Sequence, residues 1–385
     1  MREFVRSLAE MESARQDVKL ASLVSEKKKV GVFCPVIDEA HFTMCDKLCK
    51  MLRDAGIDTV GIAVYEEGLE LFQSLKTDEE LLNVAVMADL HRVDTMLILN
   101  LHSMWGEMMY QYFARHGIEF YFIENDDAFY YKHNYMYEHI SELYDCYVDF
   151  IDEYSRKSYL GVIREGMSGQ LGEYIMAPEP QYMLDGFASR LGDVAIDAGA
   201  FDGETARDFL WCGVKVYSFE MDEKNYQKCK ELGDRIGFEV EAKGLWFRHE
   251  FVDYKKNGAA SSMLVSGGNC QAEMIDLDSW AVAKNIEKVD FIKMDIEGVE
   301  LEALQGAKRI ISTCKPRLAI CAYHKWEHLY VLQQYIKSLR PDYEFAFRHY
   351  PLTSSILLPY QKEIFAHYGL SESIPTWCEC VLYAR

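Results

Sequence analysis

The chain has 385 residues, 49% of them hydrophobic and 27% charged, a balance typical of a globular protein with enough length for two or three domains. Its formal net charge of −21 argues against a nucleic-acid backbone or an anionic membrane as the main partner. Arg2, Glu3 and Arg6 stand where a signal peptide needs an apolar core, and no apolar run reaches the length of a membrane span, so a cytoplasmic protein is expected.

Taken in order, residues 1 to about 28 read as a charged amphipathic helix closed by Lys27, Lys28 and Lys29. An α/β alternation follows. Strands are expected at Val30–Cys34, Thr59–Val64, Thr95–Leu101 and Phe120–Ile123, with helices over Phe42–Ala55 and near 66–90 and 106–116. Alternation of this kind implies a parallel sheet, so residues 1–150 should form a smaller Rossmann-like α/β domain. Asp38, Glu39, His41, His102, Glu124, Asp126 and Asp127 follow its strands. They suit either a second ligand site or ordinary capping and solvated loops. Cys45 and Cys49 share a helix face with Leu48 and Leu52 and read as packing residues, as do most of the eleven cysteines. Cys378 and Cys380 share one side of a terminal strand.

Residues 151–182 read as a helical linker or lid, interrupted by glycines, whose Tyr154, Tyr159 and Tyr174 are placed to lean over a neighbouring site. Residues 183–385 form the second domain. It opens with Val194-Ala195-Ile196-Asp197-Ala198-Gly199-Ala200-Phe201-Asp202-Gly203-Glu204-Thr205, a strand that ends in an acid, turns on glycine and enters a helix. Gly199 and Gly203 admit positive φ and close approach to a ligand, and Thr205 begins a helix whose amides and dipole can face one. The next strand, Val214–Phe219, ends in Glu220 and Met221, and Glu220 stands 23 positions past Asp197. A carboxylate there can accept both hydroxyls of a ribose. A dinucleotide site would carry G-x-G-x-x-G, but the middle glycine is missing and Asp197 would oppose a pyrophosphate. A cationic sulfonium suits this turn better, which favours S-adenosylmethionine as cofactor. Cofactor contacts are therefore expected from Asp197, Gly199, Ala200, Phe201, Gly203, Thr205, Glu220, Met221 and Asp295.

Further strands are expected at Phe238–Gly244, Ala272–Leu277, Asp290–Met294, Arg317–Ala322, Glu344–His349 and Glu379–Ala384. Four motifs then stand in order: the glycine turn, Glu220, Ile275-Asp276-Leu277-Asp278-Ser279-Trp280, and Asp290-Phe291-Ile292-Lys293-Met294-Asp295-Ile296-Glu297-Gly298-Val299-Glu300. Together they resemble the FkbM-type methyltransferases, a branch of the class I S-adenosylmethionine-dependent fold. The resemblance covers about residue 180 to the end; Phe201 stands where the family more often carries asparagine. It implies a mostly parallel seven-stranded sheet closed by an antiparallel hairpin. It also implies O-methylation of a sugar or other small hydroxylated metabolite.

Asp295 ends the strand beside the cofactor strand, Glu297 follows it, and His324 follows the next strand, so these three are the candidate catalytic residues. His324 titrates near neutrality and reads as a general base, with a helix cap as the plainer account. A magnesium ion on Asp295, Glu297 and His324 is compatible with so carboxylate-rich a set, though the spacing does not demand it. His324-Lys325-Trp326-Glu327-His328 matches H-x-x-E-H, but its first histidine closes a strand, which argues against a zinc protease. Glu300 reads as an acid at a helix N-terminus. The alternatives to an enzyme acting on a small molecule are a cofactor-binding regulatory protein without turnover and an NAD(P)-dependent oxidoreductase. Self-association into a homo-oligomer stays open.

Overall fold

The computed structural model describes residues 29–33, 39–54, 56–57, 59–64, 84–86, 93–99, 117–123, 135–168, 174–257, 261–264, 268, 270–351 and 379–385, together with Phe4. The chain divides into two compact units, discontinuous in sequence. One comprises Met1–Ile140, Leu160–Tyr174 and Pro351–Trp377, and the other Ser141–Tyr159, Ile175–Tyr350 and Cys378–Arg385.

In the first unit β1 (Val30–Phe33), β2 (Thr59–Val64), β3 (Val84–Val86), β4 (Thr95–Leu99) and β5 (Glu119–Ile123) form one sheet in the order β3-β2-β1-β4-β5. Every pairing is parallel, as the alternation of apolar runs with helical segments implied. Helix α1 (Glu39–Asp54) buries Cys45, Cys49 and Leu52 on one face, which bears out the packing reading of its cysteines. The helix expected near 66–90 is corrected at its end, where Val84-Ala85-Val86 pairs beside β2. A short β-branched run has no helical periodicity of its own, and a nonlocal partner decides its state. The helix expected over 106–116, and that over 1–28 apart from Phe4, lie outside the described residues. So do Asp38, His102, Glu124, Asp126, Asp127 and Cys378, and the side chains of Glu39 and His41.

The second unit is built on seven strands: β6 (Val194–Ala198), β7 (Lys215–Phe219), β8 (Glu239–Glu241), β13 (Phe291–Met294), β14 (Arg317–Cys321), β15 (Phe345–His349) and β16 (Cys380–Ala384). They lie in the order β15-β16-β14-β13-β6-β7-β8. All neighbours are parallel except β16, which runs antiparallel to both β14 and β15. The chain moves outward from β6 through β7 to β8, then returns to the other side of β6 as β13. That reversal opens a crevice outside the carboxyl ends of β6 and β13, where open α/β sheets hold ligands.

Helices α4 (Glu204–Trp211), α5 (Glu223–Ile236), α6 (Leu277–Ala283), α7 (Glu300–Gly306), α8 (Lys308–Cys314) and α9 (His328–Leu339) alternate with the strands; α2 (Ile140–Asp149) and α3 (Glu153–Ser168) precede them. The chain between β8 and α6 makes a second sheet from β9 (Gly244–Leu245), β10 (Glu250–Asn257), β11 (Ser261–Leu264) and β12 (Cys270–Ile275), in the order β11-β10-β12-β9. The strand expected at Ala272–Leu277 is β12. It ends two residues early because Asp276 caps α6, accepting from the Ser279 amide at 2.7 Å. In the same motif Asp278 accepts the amides of Arg309 and Ile310, and Trp280 packs edge-on against Tyr217 and Phe219. That motif is structural.

Two tyrosines of the segment expected as a linker or lid are held by backbone carbonyls. The Tyr154 hydroxyl donates to the Met176 carbonyl, and that of Tyr159 to the Leu329 carbonyl. Tyr159 is buried between Phe150 and Phe347, and Tyr174 belongs to the other unit. Large aromatic rings at an α/β boundary gain more from burial than from covering a polar cleft.

Candidate active site

The carboxyl end of β6 turns at Gly199, whose φ is +76°. A Cβ on Gly199 would sit 1.8 Å from the Asp295 carbonyl oxygen, so glycine is required because the end of β13 passes against the turn. Gly199→Ala should cost roughly 2–5 kcal/mol, the left-handed penalty plus overpacking. Gly237, also at positive φ but with open space around its Cβ position, is the control. Urea denaturation of both variants should show the larger loss at Gly199.

The amides of the turn are mostly spent. Gly199 and Ala200 both donate to the Phe219 carbonyl, Gly203 to that of Ala200, Phe201 to Glu220 Oε2 and Glu204 to Asp202 Oδ1. A pyrophosphate laid across this turn would find few donors, a reason beyond the missing glycine to disfavour a dinucleotide. Thr205 is half-buried in the first turn of α4. The amides of Gly199, Ala200, Phe201, Gly203 and Glu204 thus go to the end of β7 and to the turn itself.

Asp197, expected to contact the cofactor, has a side chain paired within the protein. It is fully buried beneath the turn, with Oδ1 3.1 Å from Lys293 Nζ. Lys293 lies on β13 in register with Asp197, and its ammonium also donates to the carbonyls of Ala198 and Gly199 at 3.1 and 2.7 Å. Burial alone would push the Lys293 ammonium down, but Asp197 and then Asp295 hold it above its ordinary value. Burial lifts the Asp197 carboxyl above the usual range against the pull of Lys293. The sequence motif placed the acid correctly at the strand end; the partner across the strand pair was missed. A lysine in the buried run Phe291-Ile292-Lys293-Met294 was the available signal, since such a charge needs a partner.

Glu220 stands at the end of β7, as expected. Its Oε2 accepts the Phe201 amide at 2.9 Å and its Oε1 the Asp222 amide at 2.8 Å. Each oxygen keeps acceptor capacity for one more donor, the requirement for gripping two vicinal hydroxyls. Burial raises the carboxyl, and the two backbone amides oppose that. Met221 is half-buried and packs against Tyr254, Ala272 and Met274 of the second sheet.

On the other side of the crevice Asp295 and His324 follow β13 and β14, and the fold brings the three candidate catalytic side chains together. His324 Nε2 lies 3.4 Å from Asp295 Oδ1 and 3.8 Å from Glu297 Oε2. Asp295 is clamped by two hydroxyls, Tyr323 donating to Oδ1 at 3.2 Å and Tyr182 to Oδ2 at 3.1 Å. Behind His324, Glu300 Oε1 receives Nδ1 at 2.7 Å and the Ile296 amide at 3.0 Å, while Oε2 lies 3.3 Å from His328 Nδ1. Glu300 is fully buried. Burial would raise it, but His324 overcomes that and brings it down to about 2. Burial likewise disfavours charge on His324, yet Glu300, Asp295 and Glu297 push it up to about 9. Burial lifts Glu297 to about 7 against the pull of His324, and drops His328 to about 4.

Glu300 is thus the anchor of His324, a role that a helix-end acid did not suggest, and His328, the other histidine of the H-x-x-E-H run, lies beside its second oxygen. Among the described residues no group of three histidine, cysteine, aspartate or glutamate side chains is arranged to hold a metal ion. Backbone strain marks the same place. Six non-glycine residues have positive φ among those described, and four of them are Tyr182, Phe201, Glu297 and Glu379, all around this crevice. Strain of this kind tends to collect at functional sites.

The strand order, the closing antiparallel hairpin and a strand-end acid beside a glycine turn define the class I methyltransferase fold. Residues 197–345 match the methyltransferase FkbM domain. A crystal structure of methyltransferase FkbM from Methylobacillus flagellatus KT superposes with a TM-score of 0.62 at 17% identity, covering 99% of this chain and all of that one; at that identity the likeness shows the fold. The 2-O-methyltransferase NoeI of Sinorhizobium fredii (strain NBRC 101917 / NGR234) is 29% identical over 143 residues, an alignment covering 31% of this chain and 59% of NoeI. No helix among the described residues is long and apolar enough to cross a membrane.

Proposed function

We propose that the C-terminal unit transfers a methyl group from S-adenosylmethionine to a hydroxyl oxygen of a small acceptor such as a sugar, with Glu297 taking the hydroxyl proton. The observation that carries this reading is the division of one sheet edge: Glu220 waits at one end with an open acceptor on each oxygen, and Asp295, Glu297 and His324 cluster two and three strands away. When bound, S-adenosylmethionine supplies an electrophilic methyl, whose bond to sulfur breaks with its electron pair returning to sulfur as the acceptor oxygen bonds to carbon. Glu220 would hold the ribose hydroxyls, and the half-buried turn from Gly199 to Gly203 would form the floor beneath them.

His324, expected as the base, is better suited to another task. An imidazole held near 9 is already protonated at neutral pH, so it cannot accept a further proton. It serves as a fixed cation that keeps Asp295 and Glu297 in place. Glu297, lifted to about 7, is ionised in useful amount near neutrality and basic enough to take a proton as the new bond forms. The resemblance of one region to NoeI supports an oxygen acceptor.

Calorimetry tests the cofactor. S-adenosylmethionine should bind the purified protein and NAD should not. Glu220→Ala should weaken the former by about 1–3 kcal/mol, the cost of losing hydrogen bonds to a charged group. Wild-type affinity in a folded Glu220→Ala variant would remove Glu220 from the site. Tight binding with no methyl transfer to any hydroxylated acceptor would favour a regulatory protein without turnover.

A further inference from the structure

Glu379 directly precedes β16, the strand that runs antiparallel beside β14. The Ala322 amide donates to the Cys380 carbonyl at 2.8 Å, so the start of β16 lies at the carboxyl end of β14, on the edge that carries Asp295 and His324. The edge therefore presents acids in spatial order: Glu220 after β7, Asp295 and Glu297 after β13, and Glu379 before β16. Those on β6 and β7 belong to the cofactor half. Glu379 is at the far end, in the acceptor half, and no part of the mechanism above uses it.

Three features show that Glu379 is held there at a cost. Its φ is +64°, a conformation that non-glycine side chains rarely adopt. Its Oε2 accepts from Gln181 Nε2 at 2.7 Å, which aims the carboxyl. Burial, and then the charge of Asp295, raise it to about 7. The neighbouring Tyr182, also at positive φ, has its amide held by the Tyr383 hydroxyl and its own hydroxyl on Asp295. Gln181 and Tyr182 thus tie Glu379 and Asp295 into one wall.

We propose that Glu379 is an acceptor-binding residue: its carboxyl, braced by Gln181, receives a second hydroxyl of an acceptor that is uncharged around the reacting oxygen. This rests on the methyl-transfer reading above. Asp295 and Glu297 lie against His324 and Glu379 shares their edge, so a phosphate or carboxylate next to the reacting oxygen would meet mostly like charge. An uncharged diol has donors for these acceptor-only oxygens, and losing such a partner penalises an acceptor lacking the second hydroxyl.

The test follows label from [methyl-14C]S-adenosylmethionine into a small-molecule extract of the source cells, with the extract diluted in steps. Glu379→Gln keeps the shape but turns an acceptor oxygen into an N–H donor. It should raise the amount of extract needed for half-maximal labelling at least tenfold, leave the labelling rate at saturating extract within about threefold, and leave the calorimetric affinity for S-adenosylmethionine unchanged. Gln181→Leu, which removes only the brace, should shift the same quantity in the same direction by less. Wild-type dependence on extract in Glu379→Gln would overturn the assignment, as would an equal loss of cofactor affinity, which would mark a structural role. If Glu379→Gln does not fold, Gln181→Leu decides on the same readouts. Absence of label with wild-type protein that binds the cofactor would fell the methyl-transfer reading itself, and the inference with it.

Discussion

Glu297→Gln is expected to slow methyl transfer by roughly 10²–10⁴-fold, the usual contribution of a positioned base, with affinity for S-adenosylmethionine unchanged. The substitution keeps volume and removes a carboxyl that lies beside His324 and is poised to change protonation near neutrality. The pH profile makes the assignment specific. Glu297 rests at about 7, so the wild-type rate should climb as pH rises through 7 and the carboxyl loses its proton. His324 rests at about 9, so the rate should fall above 9 as the cation is lost and its hold on Asp295 and Glu297 weakens. Because the groups interact, the two limbs belong to the cluster as a whole. Glu297→Gln should abolish the acidic limb. His324→Ala should abolish the alkaline one and lower the rate at pH 7 less than Glu297→Gln does. Single-turnover rates from pH 5.5 to 10 would check both, and an intact acidic limb in Glu297→Gln would return the base role to another residue.

Lys293→Met should be the most destabilising single change in the second unit, by about 3–5 kcal/mol, the range for removing one partner of a buried ion pair. Lys293 and Asp197 are both essentially inaccessible, so Asp197 would be left buried without a countercharge and the carbonyls of Ala198 and Gly199 would lose their donor. Adding Asp197→Leu to Lys293→Met should recover part of the loss, because the second change removes the stranded charge. The same double variant should still bind S-adenosylmethionine weakly at best, since the turn it supports would relax. Guanidinium unfolding followed by far-UV circular dichroism gives the stabilities. A Lys293→Met variant as stable as wild type would show that the pair contributes nothing to the turn.

Glu300 adds a stability signature to the same cluster. Its folded carboxyl sits at about 2, below the ordinary carboxylate, so its contribution is present above the unfolded value near 4.5. That contribution is lost as pH falls from there toward 2. His324 works in the opposite sense: raised to about 9 from 6.5, its contribution is complete below 6.5 and disappears as pH climbs through 9.

Much of this protein could be read from the order of its residues. The alternation of apolar runs with helical stretches determined the parallel sheet of the first unit, because parallel strands need crossovers and crossovers are mostly helices, and the family resemblance implied the mostly parallel sheet of the second. A glycine turn after Asp197, an acid closing the next strand, and acids and a histidine closing two others determined which edge of the second sheet carries polar chemistry. Local pattern reached that far because each of these signals lies within one strand and its following turn.

Only the tertiary structure decided what each polar residue does there. Asp197 and Lys293 lie 96 positions apart and meet only because β6 and β13 are neighbours in register, which gives the strand-end acid a buried partner. Glu300 looked like a helix-end acid until α7 packed it against His324 and His328. The cation it creates is the reason the reading proposed above gives the base role to Glu297 rather than His324. Tyr182 and Glu379, almost 200 positions apart, are brought to one crevice edge by β16 returning beside β14. The physical reason is common to all four cases. Protonation and hydrogen-bond partners depend on burial and on charges a few ångströms away, and those neighbours come from strands distant in sequence.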